Sequence, residues 1–384
     1  MGEEFSFEQG PIRPPSEAKS LLIRTTRNCP WNKCAFCHTY RGTAFELRSV
    51  AEIKEDIQKA RDTADRIREL SWKCGEEGRV SELIVNMIHS KSESYNDSFR
   101  SVATWLYFGG QSIFFQDANS IIMKTSDLID VLSFTRKKFP SVERITSYCR
   151  SKTAARKSVE ELKRLKEAGL SRIHIGMESG YDPLLKFIKK GVTAADHIKG
   201  GRRIVEAGIS LCEYVMPGLG GNRWSKEHAM ETARVINEIN PEFVRLRTLH
   251  VVKGTELFDM MEQGKFQPIG DEDILKEIRI FIEKLDGIET TIVSDHILNL
   301  LEELEGQFPL DKERLLAIID GYFSLSDEER LIYRIGRRRG IYRSINDLSD
   351  RAVYMRLRSI LDHYGIGDTK QMERDLYGIM HHYI

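Results

Sequence analysis

The chain has 384 residues, 41% of them hydrophobic and 30% charged. That is enough apolar content to bury a core and enough length for one large domain plus a smaller appendage. Its 58 basic residues balance 58 acidic ones, which argues against nucleic acid as the main partner, because phosphate binding is usually accompanied by a basic excess. Residues 1–20 are polar and contain prolines, with no apolar run of the kind a secretory signal needs. No stretch of about 18 uninterrupted apolar residues suggests a membrane span. The expectation is a cytoplasmic protein without a membrane partner, and in that reducing compartment clustered cysteines read as a metal site before a disulfide framework.

Residues 1–20 read as an arm, mobile or draped on the surface. Leu21–Thr26 reads as a short buried strand that runs straight into a cysteine loop. Apolar residues then fall at Val50, Ile53, Ile57, Ala60, Ala64 and Ile67, the spacing of one face of a long helix. Residues 75–110 look like an insertion with two short helices, near 80–90 and 95–108, ending in a Gly109-Gly110 turn.

From there strands and helices alternate. Ser112–Phe115 predicts a strand and Ser126 to about Lys138 a helix. Val142–Tyr148 predicts a strand, and Ser158 with Glu161 forms a capping box that opens a helix ending at Gly169. Arg172–Met177 is the next strand, followed by a helix from Thr193 to Gly208. Ile209–Val215 is a strand, Ser225 caps a helix that stops before Pro241, and Phe243–Leu249 is the last strand. The segment Glu167-Ala-Gly-Leu-Ser171 recurs as Glu206-Ala-Gly-Ile-Ser210, each copy ending a helix and entering a strand, as repeated βα units would. The fold class expected is α/β: a partial (β/α)6 TIM-like barrel over residues 21–265, two strands short of a complete one. Beyond about residue 270 the strand signals vanish. Residues 271–285, 294–305, 311–322, 326–338 and 345–382 read as helices of a C-terminal domain, 266–384.

Cys29, Cys34 and Cys37 form C-x4-C-x2-C in the loop after the first strand, at the end where parallel α/β folds gather functional groups. Three thiolates this close can occupy three corners of a [4Fe–4S] cluster. Cys74, Cys149 and Cys212 lie on separate elements and supply no local fourth ligand. A closed structural site draws all its ligands from protein, whereas a catalytic one keeps a position open. One iron left free would suit the amino and carboxylate groups of a methionine moiety. The competing reading is a structural zinc held by the three cysteines and His38, in a non-catalytic scaffold. Adjacency of Cys37 and His38 makes shared tetrahedral ligation awkward.

The run Arg27-Asn-Cys-Pro-Trp-Asn-Lys-Cys-Ala-Phe-Cys-His38 resembles the cluster loop of radical S-adenosylmethionine enzymes, in which an aromatic residue precedes the last cysteine, as Phe36 does here. The first gap is four residues, where that superfamily usually has three. The resemblance covers about residues 20–265 and is nearest to the branch of oxygen-independent coproporphyrinogen oxidases, the elongator catalytic subunit and methylthiotransferases. It implies a [4Fe–4S] cluster and S-adenosyl-L-methionine as cofactors, cleavage of the latter to a 5′-deoxyadenosyl radical, and hydrogen abstraction from a substrate. The partners it implies are a small-molecule substrate and an electron donor such as ferredoxin or flavodoxin.

A barrel places polar groups just past its strands. After strand two come Gln116, Asp117 and Asn119, where the resemblance places groups that hold the methionine amino end. The family's usual Gly-Gly-Glu is missing there, since Gly109-Gly110-Gln111 lies before the strand. After strand three come Ser147 and Arg150, a hydroxyl and a guanidinium suited to ribose or carboxylate. After strand four, Gly176 would let backbone approach a ligand, and Glu178 matches the family position that accepts ribose hydroxyls. After strand five, the apolar turn that contains Met216 could lie against adenine. On strand six Arg245 and Arg247 share a face, and Arg247 is the candidate for an anionic substrate or the cofactor carboxylate.

Cys149 and Cys212 read as small buried hydrophobes before hydrogen-atom donors, and His174 as a core or surface residue. The basic run Arg334–Arg343 reads first as a solvated helix end whose cations suit the dipole, and second as a phosphate or carboxylate grip. Neither a small RNA-gripping β-barrel nor an acetyltransferase-like domain is legible after the barrel, so an RNA substrate stands as the alternative within the same chemistry.

Overall fold

A computed structural model describes residues 5–91 and 95–364, with 375 and 378. The chain forms two compact units, one of Met1–Asn32, Thr39–Ile175 and Lys199–Leu211, the other of Lys33–His38, Gly176–Ile198 and Cys212–Ile384. The fold is mixed α/β, with a mostly parallel eight-stranded sheet and a helical C-terminal region, as expected for the partial barrel.

In the first unit, β1 (Leu21–Arg24) precedes a small antiparallel pair, β2 (Thr26–Arg27) and β3 (Glu46–Leu47). β4 (Ser112–Gln116) and β5 (Arg144–Cys149) follow, and then β6 (Leu170–Glu178). β1 pairs parallel with β4, β4 with β5 and β5 with β6. The helix Val50–Lys73 opens on a capping box between Ser49 and Glu52 and buries Ile53, Ile57, Ala60, Ala64 and Ile67, the stripe its spacing predicted. Helices Glu82–Ser90 and Asp97–Tyr107 form the insertion. The Ser158–Glu161 capping box is present, and the two repeated joints turn on Gly169 and Gly208, both in the left-handed region that favours glycine.

The arm is draped, not loose. Gln116 accepts from the Gly10 amide at 2.8 Å and donates to the carbonyls of Gly10 and Ile12. Glu17 is fully buried, 3.2 Å from Arg144 and 3.6 Å from His174. His174 is itself enclosed, so the core reading of that residue holds.

In the second unit, β7 (Ser210–Val215), β8 (Phe243–Leu246) and β9 (Thr291–Val293) run parallel, and β10 (Gly306–Gln307) pairs antiparallel with β9. The last two strands correct the six-strand expectation. At three and two residues they are too short to carry a periodic signal. Helices Asp271–Lys284, Lys312–Ser324 and Asp327–Arg338 stand as expected. Residues 294–305 are not the expected helix. Asn299 instead accepts from the Thr248 amide at 2.9 Å and donates to Leu246 O at 2.8 Å, and Ser294 bonds Leu301 O. Asn299 thus satisfies backbone groups at and just past the end of β8 and Ser294 one within its own segment, in competition with a helical ladder. Of the expected helix 345–382, a short 3-10 turn at Ile345–Ser349 and the helix Arg351–Tyr364 are formed; most of the remainder lies outside the described residues.

The basic run is the larger correction. Arg337 and Arg338 are each 1% exposed. Arg337 meets Glu302 at 2.8 Å and Asn299 O at 3.1 Å; Arg338 meets Asp271 at 2.5 Å and Leu298 O at 2.8 Å. These two cations hold the 296–302 loop to the helices and are not solvated, whereas Arg339 and Arg343 at the end of the run are exposed. Burial alone would raise the Asp271 carboxyl, but the charges of Arg338 and Arg334 hold it below the ordinary aspartate value. Among the described residues no helix is long and apolar enough to cross a membrane.

Candidate cofactor site

The cysteine loop is stapled at both ends in the first unit. β1 delivers Arg24 opposite Gln116, and its guanidinium pairs with Asp117 at 2.8 Å and with Glu8 at 2.8 Å. Asp117, wholly enclosed, also accepts from the Asn28 amide at 3.1 Å and from the Tyr40 phenol. Burial and the neighbouring Asp117 charge push the Tyr40 hydroxyl far above its ordinary value, so it stays a donor. Asn28 and Asn32 both adopt left-handed backbone, and their amides bond Ala44 O and Thr43 O, each at 2.6 Å.

In the second unit the middle of the loop is fixed by its backbone. The Ala35 amide donates to Ile188 O at 2.9 Å and its carbonyl accepts from Leu257 N at 2.8 Å. Ala35 joins an apolar cluster with Leu184, Ile188, Met216, Leu219 and Leu257, and Phe36 packs against it. Cys29, Cys34 and Cys37 are half-buried and in no disulfide; Cys74 is exposed, while Cys149 and Cys212 are buried. The last two fit the small-hydrophobe reading. Among the described residues, no three His, Cys, Asp or Glu side chains are gathered as ligands of a single ion.

The strand-end residues divide into supports and open groups. Gln116 bonds the arm and Asp117 the cysteine loop, and both are buried. Asn119 is also buried, accepting from the Arg150 amide at 3.0 Å and donating to Thr153 at 2.8 Å. Ser147 Oγ lies 3.2 Å from Phe115 O and from Tyr148 O. The Arg150 guanidinium sits 5.2 Å from the centre of the Trp31 ring, in cation–π contact with the cysteine loop.

Glu178 adopts left-handed backbone, and its carboxylate accepts from Lys190 at 2.8 Å. Lys190 in turn lies 5.6 Å from the centre of the Phe36 ring. Gly176 leaves room for Glu178 itself: a β-carbon there would run into that carboxylate and into Lys190 at 3.3 Å. Fully buried Glu213 has neither oxygen hydrogen-bonded. Burial, and then the Glu178 charge, push its carboxyl well above the usual range, with Lys190 opposing.

Met216 is nearly enclosed, and its amide donates to Glu178 O at 3.0 Å. Arg245 pairs with Asp295 at 2.5 Å. Arg247 falls just beyond β8 with an exposed side chain, its amide bonded to Val215 O at 2.9 Å. Burial and the Arg247 charge lower His38 and take His296 down to about 4. Sequence reasoning missed Arg24, Tyr40, Lys190 and Glu213. Only Lys190, close after the Glu178 segment, left a local trace.

Residues 104–233 match the family model described as the Radical SAM superfamily. A tRNA uridine(34) acetyltransferase of Methanocaldococcus jannaschii is 24% identical over 282 residues, 70% of this chain and 49% of that protein. A biotin synthase of Clostridium botulinum (strain Hall) is 29% identical over 152 residues, 37% of this chain and 44% of its own length. A solved structure of the Methanocaldococcus infernus Elp3, lacking its N-terminus, is similar at TM-score 0.39 and 19% identity, covering 48% of each chain. The chain spans about half the length of the curated acetyltransferases it matches. These relatives are named as enzymes. Residues 104–233 thus match a radical SAM domain, and the chain is similar to enzymes of that superfamily.

Proposed function

We propose that Cys29, Cys34 and Cys37 would hold a [4Fe–4S] cluster that acts with S-adenosyl-L-methionine as its co-substrate. The observation that carries this is the donor set: three half-buried thiols in one loop, none in a disulfide, and no fourth cysteine in that loop. Thiolates are the ligands such clusters take, and a cubane offers three separate iron corners, so its ligands need not converge on one point. When bound, the cluster would supply the electron for reductive cleavage of S-adenosyl-L-methionine, and with it the means of hydrogen abstraction from a substrate.

The chain's own residues bind and orient. Glu178, steadied by Lys190, presents a carboxylate for ribose hydroxyls. The turn of Met216 offers an enclosed apolar surface for adenine. Arg150, with its backbone fixed by Asn119, is the cation for a carboxylate, and Phe36, next in sequence to the last cysteine, anchors the loop on the apolar cluster. Ser147 steadies the adjoining strand end. Exposed Arg247 is suited to an anionic part of a substrate. A ferredoxin or flavodoxin is the electron donor in this reading.

The test is anaerobic reconstitution followed by dithionite and S-adenosyl-L-methionine. Release of 5′-deoxyadenosine is expected, and a fully loaded protein that releases none, with or without candidate substrates, would overturn the proposal.

A second reading keeps this chemistry and makes RNA the substrate. The name of the tRNA-modifying relatives favours it, against the balanced charge of this chain. It predicts tRNA binding that weakens steeply with salt, whereas a small-molecule enzyme would show none.

A further inference from the structure

Two turns that the proposed function assigns to the cofactor, at residues 178–180 and 216–218, hang on one buried polar network. It is supplied by the helices Gly221–Ile239 and Asp271–Lys284. Glu277, 2% exposed, accepts from the Gly218 amide at 2.7 Å through Oε1 and from the Ser225 hydroxyl at 2.5 Å through Oε2. Ser225 is therefore engaged with Glu277 and is not the expected helix cap; the helix starts earlier, at Gly221, with a kink at Trp224.

His228, 1% exposed, spans the two turns. Its Nε2 lies 3.1 Å from Met216 O and its Nδ1 2.9 Å from Ser179 Oγ. A carbonyl only accepts, so Nε2 carries the proton and donates to Met216. Nδ1 faces two hydroxyls, those of Ser179 and, at 3.2 Å, Thr232, while Nε2 also lies 3.6 Å from the Glu277 carboxylate. Ser179 Oγ takes the Tyr181 amide and Thr232 Oγ1 takes the Gly180 amide at 2.9 Å, which leaves each hydroxyl hydrogen available. Gly180 itself presses on the helix: a β-carbon there would collide with the backbone at Glu231 and come within 2.8 Å of Thr232 Cα. The network thus ties backbone of both turns to side chains of the two helices.

We propose that Glu277 and His228 are positioning residues for cofactor binding: Glu277 sets the Gly218 amide and His228 locks the Met216 turn to the Ser179 turn. The helix Asp271–Lys284, which no motif singled out, becomes part of the machinery that shapes the nucleoside site. This rests on the reading that Glu178 and Met216 touch S-adenosyl-L-methionine. A preorganised turn lowers the ordering cost of the ligand it receives. Loss of the network therefore acts on cofactor affinity before it acts on the rate of the loaded enzyme.

The experiment uses reconstituted full-length enzyme and measures KM for S-adenosyl-L-methionine and kcat for 5′-deoxyadenosine release. Glu277→Ala and His228→Ala are expected to raise KM by roughly tenfold or more, the size of a lost buried hydrogen bond to a charged group. Iron content and kcat at saturation should stay near the parent values. Glu277→Gln retains an acceptor for Gly218 and should recover most of the affinity. Ser225→Ala, which spares the Gly218 bond, should change KM far less. If Glu277→Ala does not fold, the His228 and Ser225 variants still decide the matter: parental KM in His228→Ala, or a KM rise in Ser225→Ala as large as that in His228→Ala, would overturn the assignment. Glu178→Ala separates the two layers. If it weakens cofactor binding and the Glu277 and His228 variants do not, the positioning role is wrong. If it too has no effect, the reading beneath is wrong and the inference falls with it.

Discussion

Arg24 meets Asp117 at 2.8 Å across 93 positions of sequence, and the acid is wholly enclosed. The same carboxylate takes the Asn28 amide, one residue before Cys29. The pair is thus a fixing point for the entrance to the cysteine loop, and removing the acid leaves a partly buried guanidinium with Glu8 as its remaining bonded acid.

Asp117→Ala should therefore lose about 3 kcal/mol of stability, as expected when one partner of a buried pair is removed. It should also bind less iron after anaerobic reconstitution. Chemical denaturation and iron analysis check the two effects separately. A variant of parental stability and full iron content would show that the loop is ordered without this pair.

Changing Cys29, Cys34 or Cys37 singly to Ser should abolish reconstituted iron and 5′-deoxyadenosine release. Cys74→Ser should match the parent in both, because that thiol is exposed and outside the loop. Iron and sulfide content give the direct readout; undiminished iron in any of the three loop variants would remove that residue from the ligand set.

Asp271→Ala strands Arg338, which is 1% exposed. Loss of the charge partner should lower stability by about 3–5 kcal/mol, measured by urea unfolding. The parent carboxyl is held below its ordinary value of 3.8. Its contribution is thus present above that value and fades as pH falls through the depressed one. The gap between parent and variant should narrow in acid; a gap constant down to strongly acidic pH would contradict this.

Glu213→Gln should have the opposite pH signature. The folded protein raises this carboxyl well above 4.5, so its protonated form is the one the fold prefers. Its contribution is complete below 4.5 and is lost as pH rises through the folded value. Glutamine carries no such dependence. Thermal unfolding of parent and variant should diverge in favour of the glutamine variant as pH rises from about 5 to 8, and parallel curves would mean that Glu213 finds a charged partner in solution.

Much of the frame was legible because it is written locally. The Val50–Lys73 stripe, the Ser158–Glu161 box and the two Ala-Gly joints each lie within a few residues, and each folds as read. The strand ends were found, but what their side chains do was not. Gln116 and Asp117 looked open to a ligand because no nearby residue competes for them in sequence; their partners come from the arm and from β1. Arg337 and Arg338 looked solvated for the same reason, their acids lying at Glu302 and Asp271.

By itself the sequence determined the chemistry available, through three cysteines at fixed spacing, and the alternation of elements that carries them, through periodicity and capping. Only the tertiary structure decided which charges are buried, which carboxyl is left without a bond at Glu213, and that Glu277 reaches the Gly218 amide 59 positions away. Thiol spacing and helical period are properties of a short window of chain. Burial and pairing are properties of whichever elements pack together, and no window of local sequence contains both partners.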